Sequence, residues 1–151
     1  MRDAAHEHRR QAQSITDRAQ QLCVNVSAAD RAHPSMLSAG AVEGVRPSYV
    51  EHRLIKSSVP ELRGAEFLVS PAAGLTRSWI AHVVRCHAAW LEVIGTRASD
   101  VRDDPFAVAG DLDITFDETD SAFVVRVRGR DKTEGEDILR RALRFASAST
   151  R

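Results

Sequence analysis

The sequence is poor in several things. It has no long apolar run, two cysteines, one tyrosine, two tryptophans and, against 19 arginines, two lysines. No stretch approaches the roughly 18 consecutive apolar residues of a membrane-spanning helix. Eight Gly and five Pro in 151 residues exclude a collagen-like or Gly/Pro-rich disordered chain. Neither sign of charge is in excess: 21 basic residues balance 21 acidic ones, which argues against a dominant basic surface for nucleic acid. There is no Gly-rich phosphate loop, no GxSxG elbow and no HExxH. The scarcity of lysine beside abundant Arg and Ala reads as codon bias.

What is present suits one folded domain. The mass is 16.6 kDa, 43% of residues are hydrophobic and 28% are charged, close to average globular usage and sufficient for a core without metal. Charge is uneven along the chain. Residues 100–120 carry a net −7 and residues 121–151 a net +4, so the two segments are expected to pair across a hairpin.

Apolar periodicity assigns the elements. Ala12, Ile15, Ala19, Leu22 and Val26 form a thin stripe on a helix over 4–26. Residues 27–48 read as a connection with a short strand near Val42–Val45. A strand over Tyr49–Ile55 ends at Ser57-Ser58-Val59-Pro60, and a second short one covers Ala65–Val69. A central helix over 77–94 has a complete set of end signals: Thr76 as cap, Leu75 and Ile80 as a hydrophobic staple, and Gly95 at the stop. Its apolar face holds Ile80, Val83, Val84, His87, Leu91 and Ile94, widened by Trp79, Cys86 and Trp90. After a polar loop over 96–105, Phe106–Phe116 and Ala122–Arg128 alternate with period 2 and form a hairpin. Leu112, Ile114, Phe116, Phe123, Val125 and Val127 face inward. A last helix starts at Thr133 with Glu136 completing a capping box, and buries Ile138, Leu139, Ala142, Leu143 and Ala146.

The expected fold is α+β: an N-terminal helix, then a ferredoxin-like β-α-β-β-α core with an antiparallel sheet and helices on one face. The expected divisions are 1–48 for the helix and connection, 49–147 for the core and 148–151 for a frayed tail.

Gly74-Leu75-Thr76, Trp79 and Cys86-His87 make a GLT-x2-W-x6-CH helix. With Gly64-Ala65-Glu66-Phe67, Phe123 to Val127, Ile138 to Ala142, Cys23 and Asp30-Arg31, this resembles a family of small exported bacterial proteins. The match covers about two thirds of the chain. The resemblance implies an exported protein and supplies no reaction. Relatives carry a Cys before Pro where this chain has Asp104-Pro105, which weakens a multi-cysteine site here.

The candidate chemistry is limited. Cys86 and His87 point about 100° apart on a helix, so His87 does not readily activate its neighbour. His82 and Cys86 have the i, i+4 spacing of paired metal ligands. A transition-metal site using His82, Cys86 and His87, joined by His6, His8, His33 or His52, is one alternative. Buried Cys86 and a hydrogen-bonded core His87 form the plainer reading. Asp111 and Asp113 on the outward strand face are expected to form ion pairs with Arg126 and Arg128. Arg126, Arg128, Arg130, Arg140, Arg141 and Arg144 lack the outward aromatics that RNA binding on a sheet needs. Cys23 and Cys86 are either two buried thiols or one disulfide. Both positions point to where the first and central helices would meet, so a bond with Cα atoms about 4.4–6.8 Å apart is expected.

The chain opens without a signal-peptide h-region. It reads as cytosolic if the cysteines are unpaired, or as a mature periplasmic or secreted domain if they are bonded. The functional expectation is an exported, non-catalytic domain that binds a protein partner or small ligand in the cell envelope. A metal-binding accessory protein is the alternative, and an RNA-binding domain a weaker one.

Overall fold

The computed structural model describes residues 2–95, 101–108 and 110–148. Of the polar loop expected over 96–105, the part before 101 lies outside the described residues. So does the expected frayed tail, apart from Ala148. The order is α1 (Arg2–Leu22), α2 (Ala28–Ala32), β1 (Val42–Arg53), β2 (Ser58–Val69), α3 (Arg77–Ile94), β3 (Asp113–Glu118), β4 (Phe123–Arg128) and α4 (Lys132–Ala148), with short 3-10 turns at Ser35–Leu37 and Pro105–Ala107. The class is α+β, as expected. The order after α2 is β-β-α-β-β-α; the strand read over Tyr49–Ile55, ahead of the expected ferredoxin-like core, belongs to the same sheet.

All strand pairings are antiparallel, and the sheet runs β1-β2-β4-β3. Its inward face carries Ala65, Phe67 and Val69 from β2 and Phe123, Val125 and Val127 from β4. These join Ile80, Val83, Val84 and Leu91 of α3 and Ile138, Ala142 and Phe145 of α4 in one core. Ile114 and Phe116 of β3 pack against it. Aromatics are few, but three are gathered: the rings of Phe67, Phe106 and Phe145 lie 6.4 Å apart pairwise.

Several boundaries differ from the sequence reading. The two short strands foreseen near 42–45 and 49–55 are one twelve-residue strand, and β2 extends back through Pro60 to Ser58. Met36 and Leu37, in the segment before β1, join the same core. The strand foreseen from Phe106 starts only at Asp113, because Pro105–Ala107 forms a 3-10 turn capped by Asp104, whose Oδ1 accepts the Phe106 N–H at 2.8 Å. The connection over 27–48 contains α2, capped by Ser27, and a buried Leu37. α3 has the expected bounds, with Thr76 Oγ1 accepting the Trp79 N–H at 3.1 Å and Gly95 at φ 79°. Ile94, placed on its buried face by periodicity, is exposed beyond the sheet.

α4 starts differently. Asp131, not Thr133, supplies the cap, its Oδ1 accepting the Glu134 N–H at 2.9 Å. Glu134 reaches back to the Arg130 N–H at 2.7 Å, and the Arg130 guanidinium and this amide hold its carboxyl below the usual range. Glu136 pairs with Lys132. Leu143 is half exposed, and Phe145 takes the buried position. α1 buries only its C-terminal third: Ala19 is enclosed, Ile15 and Leu22 are half-buried, and residues 2–14 are exposed.

α4 meets β2 with no room to spare. A Cβ on Gly135 would lie 2.6 Å from the Arg63 backbone and 2.7 Å from the Leu62 carbonyl oxygen. Alanine inside a helix ordinarily gains about 0.5–1 kcal/mol over glycine, whereas overpacking costs about 1–3 kcal/mol. Gly135→Ala is therefore expected to destabilise the protein by about 1–2 kcal/mol, read as a lower urea midpoint. A raised midpoint would show that propensity outweighs the contact.

Candidate functional site

The two cysteines are bonded. Cys23, just past α1, and Cys86, on α3, form a disulfide with Cα atoms 4.7 Å apart, within the separation expected. One turn earlier on α3, His82 Nε2 donates to the Val24 carbonyl at 2.6 Å. The i, i+4 pair thus has a structural purpose: both side chains fasten the chain just beyond α1 to α3. A helix with so little buried area of its own would otherwise be held weakly.

His87 is fully buried. Its Nδ1 lies 2.7 Å from the Arg31 carbonyl oxygen and its Nε2 2.6 Å from Asp104 Oδ2. A carbonyl can only accept, so Nδ1 carries a proton there, and the second bond shares a proton with the carboxylate. Arg141 Nη1 in turn donates to the carbonyls of Val101 and Asp104 at 3.3 and 3.4 Å. The network joins α2, α3, the 101–108 segment and α4. Chemically it resembles the histidine–carboxylate half of a catalytic triad, but both ring nitrogens are engaged and neither reaches solvent. A general base must present a free nitrogen to its substrate. Asp104 entered the sequence reading only as a departure from a Cys-Pro pattern. An Asp before Pro is a helix-start signal that would have indicated its cap, and His87 was read as a hydrogen-bonded core residue, but nothing local announces the two as partners.

The residues suggested as metal ligands do not converge. The Cys86 sulfur is bonded to Cys23, and His82 and His87 face different oxygens. His33 stacks on Phe145 with ring centroids 4.0 Å apart, and His52 pairs with Glu61 at 3.3 Å. His6 and His8 are exposed on α1. Among the described residues, no group of three or more His, Cys, Asp or Glu side chains is placed to hold a metal. The physical reason on α3 is competition: His82 and His87 are already bonded to the Val24 and Arg31 carbonyls.

The ionic face of the sheet exists with different members. Arg126 is bound to Glu66 at 3.0 Å and to Asp117 at 2.9 Å, and Arg46 reaches Glu66 at 3.5 Å. With Thr115 accepting from Arg126 at 3.3 Å, this ladder crosses all four strands. Burial works against the charge on Arg126, but the hydrogen bonds and attraction of Asp117 and Glu66 outweigh it and hold the guanidinium above its usual value. Arg128 instead spans β2 to Ser48 Oγ at 2.8 Å and the Tyr49 carbonyl at 3.1 Å. Gly64, its register partner, allows the strands to approach closely there: a Cβ would fall 1.8 Å from the Val127 carbonyl oxygen. Asp111 lies before β3, beside a cavity of about 360 Å³ that also touches Arg18, Glu92 and Phe106. Asp113 faces Arg128 in register, yet Arg128 turns to β1.

Sequence reasoning missed an open groove of about 580 Å³ at the N-terminal end of β1. Met36, Ala41, Pro71, Ala72, Leu75 and Trp79 line it, with Ser35 and Ser70 as polar members. The run Pro71-Ala72-Ala73-Gly74 makes it: small side chains before α3 leave a hollow that Trp79, at the helix start, only partly fills.

Fold and sites define a disulfide-braced α+β domain with a helix-covered sheet, an ionic outer face and one apolar groove at a sheet edge. No protein-family model, no curated protein and no solved structure matches the chain.

Two outcomes test the internal ties. The disulfide closes a loop with a sequence separation of 63, for which the chain-entropy relation gives about 4 kcal/mol. Reduction, or Cys23→Ser with Cys86→Ser, should lower the unfolding free energy in urea by up to that amount; no change would show that α1 adds nothing to the folded body. Asp104→Ala strands His87 Nε2 and the Phe106 N–H and should cost about 3 kcal/mol or more. In Asp104→Asn the amide can donate to a neutral ring and still accept from Phe106, so a loss under about 1.5 kcal/mol is expected. Equal losses would contradict the proposed pairing.

Proposed function

We propose that the chain is a small exported domain without catalytic activity, which binds a protein partner or ligand of the cell envelope through the groove beside Trp79. The observation that carries this reading is the groove itself: about 580 Å³, mainly apolar, and open to solvent beside a tryptophan 36% exposed. That size and lining suit a binding site, and a partly exposed Trp is a frequent anchor for a partner. Past the Ala39–Val42 bridge, no described strand pairs with the outer edge of β1, which favours an extended segment of a partner protein, added as a strand with one side chain in the groove.

Export is supported by the disulfide, since such bonds persist outside the reducing cytosol. No described helix is long and apolar enough to cross a membrane. The non-catalytic reading is supported by His87, whose carboxylate-linked ring has no nitrogen left for a substrate. We also read β2-α3-β3-β4-α4 as a ferredoxin-like core in which β1, arriving first in the chain, fills the place beside β2.

Affinity capture from the native envelope fraction, with wild type beside Trp79→Ala, tests the proposal. A partner identified with the wild type should bind the variant about tenfold or more weakly, with unchanged circular dichroism. A partner that binds both equally would remove the groove as the site. Turnover of a member of a general hydrolase substrate panel would overturn the non-catalytic reading.

A further inference from the structure

The far end of the β1–β2 hairpin is unlike the rest of the fold. β2 pairs with β4 only from Gly64 to Val69, whereas β1 and β2 remain paired from Tyr49 with Leu62 to Arg53 with Ser58. Residues 49–62 therefore form a two-stranded arm projecting about 15 Å beyond the sheet, at ~3.4 Å per residue. Every residue from Glu51 to Pro60 is exposed. At its base α4 packs against Leu62 and Arg128 reaches the Tyr49 carbonyl; beyond that the exposed stretch is held mainly by its own cross-strand bonds, the least stable form of sheet.

The tip carries the wrong residues for a turn in water. Tight turns favour Gly, Asn, Asp and Pro; this one is Leu54-Ile55-Lys56-Ser57, closed by the Leu54 N–H on the Ser57 carbonyl at 2.8 Å. Ile55 is exposed as fully as a side chain can be, Leu54 is half exposed, and Tyr49 and Val59 show apolar surface behind them. Folding gains nothing from two branched apolar residues held there. Arg53 and Lys56 bracket them, while the arm's acidic residues lie farther back: Glu51, exposed, two residues before Arg53, and Glu61, engaged by His52 and Arg63. The tip is thus an apolar wedge with a cationic collar.

We propose that this arm docks the protein on an anionic lipid bilayer. Leu54 and Ile55 enter the boundary between headgroups and acyl chains. Arg53 and Lys56 lie against lipid phosphates, their stems along the apolar surface. Charge complementarity and the absence of a concave face favour a bilayer over a protein surface. The groove lies at the other end of the hairpin, roughly 35–40 Å away along β1, and so stays open to a partner on the side away from the lipid.

The test is cosedimentation of the oxidised protein with vesicles of phosphatidylcholine alone and of phosphatidylcholine mixed with phosphatidylglycerol. The wild type should bind the anionic vesicles preferentially, and less as salt is raised. Leu54→Ser with Ile55→Ser should reduce partitioning about tenfold or more, and Arg53→Gln with Lys56→Gln should remove the anionic preference. These side chains support no part of the core, so circular dichroism should not change. Ile55→Trp adds a reporter: with wild type as background, its added emission should be quenched by brominated lipids. The proposal is overturned if the wild type ignores anionic vesicles, if the double serine variant binds as well as wild type, or if the arm binds a purified protein while vesicles leave it free.

Discussion

The hydrogen-bonded bridge through His87 is the constraint on which the arrangement of the helices depends. One imidazole, closed off from water, holds the end of α2 through the Arg31 carbonyl and the 101–108 segment through Asp104. Arg141 binds the same segment from α4. Apolar packing around Phe67, Phe106 and Phe145 supplies most of the attraction, but it is non-directional. The bridge supplies direction, since a buried donor or acceptor without its partner is costly, and only one placement of the three segments satisfies all of them.

The two faces of the sheet are organised on different principles. Inward, β-branched and aromatic side chains meet α3 and α4. Outward, Arg46, Glu66, Arg126 and Asp117 alternate in sign across the four strands. Each partly exposed pair contributes little alone, about 0–1 kcal/mol. Their value lies in register: a slip of one residue would bring like charges together and turn apolar side chains to water. Gly64 serves the same pairing, because only a residue without a Cβ lets the β4 backbone at Val127 approach β2 there.

Where an element packs on one side and faces water on the other, its sequence showed it. α3 was legible to the residue through Thr76, Gly95 and its apolar stripe, and β4 through the alternation from Phe123 to Val127. The cysteine pairing was one of two readings the sequence left open, favoured by two helix faces expected to meet. The arm was legible only in its first half, read as a strand over Tyr49–Ile55; its return from Ser58 was not, for the opposite reason. Exposed on both sides, Glu51 to Pro60 carries no alternation, and Pro47 and Pro60 read as breaks. In the fold Pro47 lies on the outer strand and Pro60 where β2 has no β4 neighbour, so a missing N–H is tolerated. The start of α4 was misread because Thr133 and Asp131 are both good caps, and only the geometry of the Gly129 turn selects between them. The partnership of Asp104 with His87, and the groove, arise from segments far apart in sequence, where local pattern carries no signal.

The strand pairings also differ in how far the chain must search to make them. β1 with β2, and β3 with β4, are hairpins closed by short turns. β2 with β4 alone joins distant segments, from Val69 with Phe123 to Gly64 with Arg128. Hairpins of this kind close in microseconds, whereas ordering the long intervening loop is entropically dearer. The folding barrier is therefore expected to lie at the meeting of the two hairpins. Truncations at Phe67 and Val125 should slow folding, and changes in the arm should alter neither the folding nor the unfolding limb of the chevron. A segment kinetically silent in this way is free to vary with whatever surface the protein must meet.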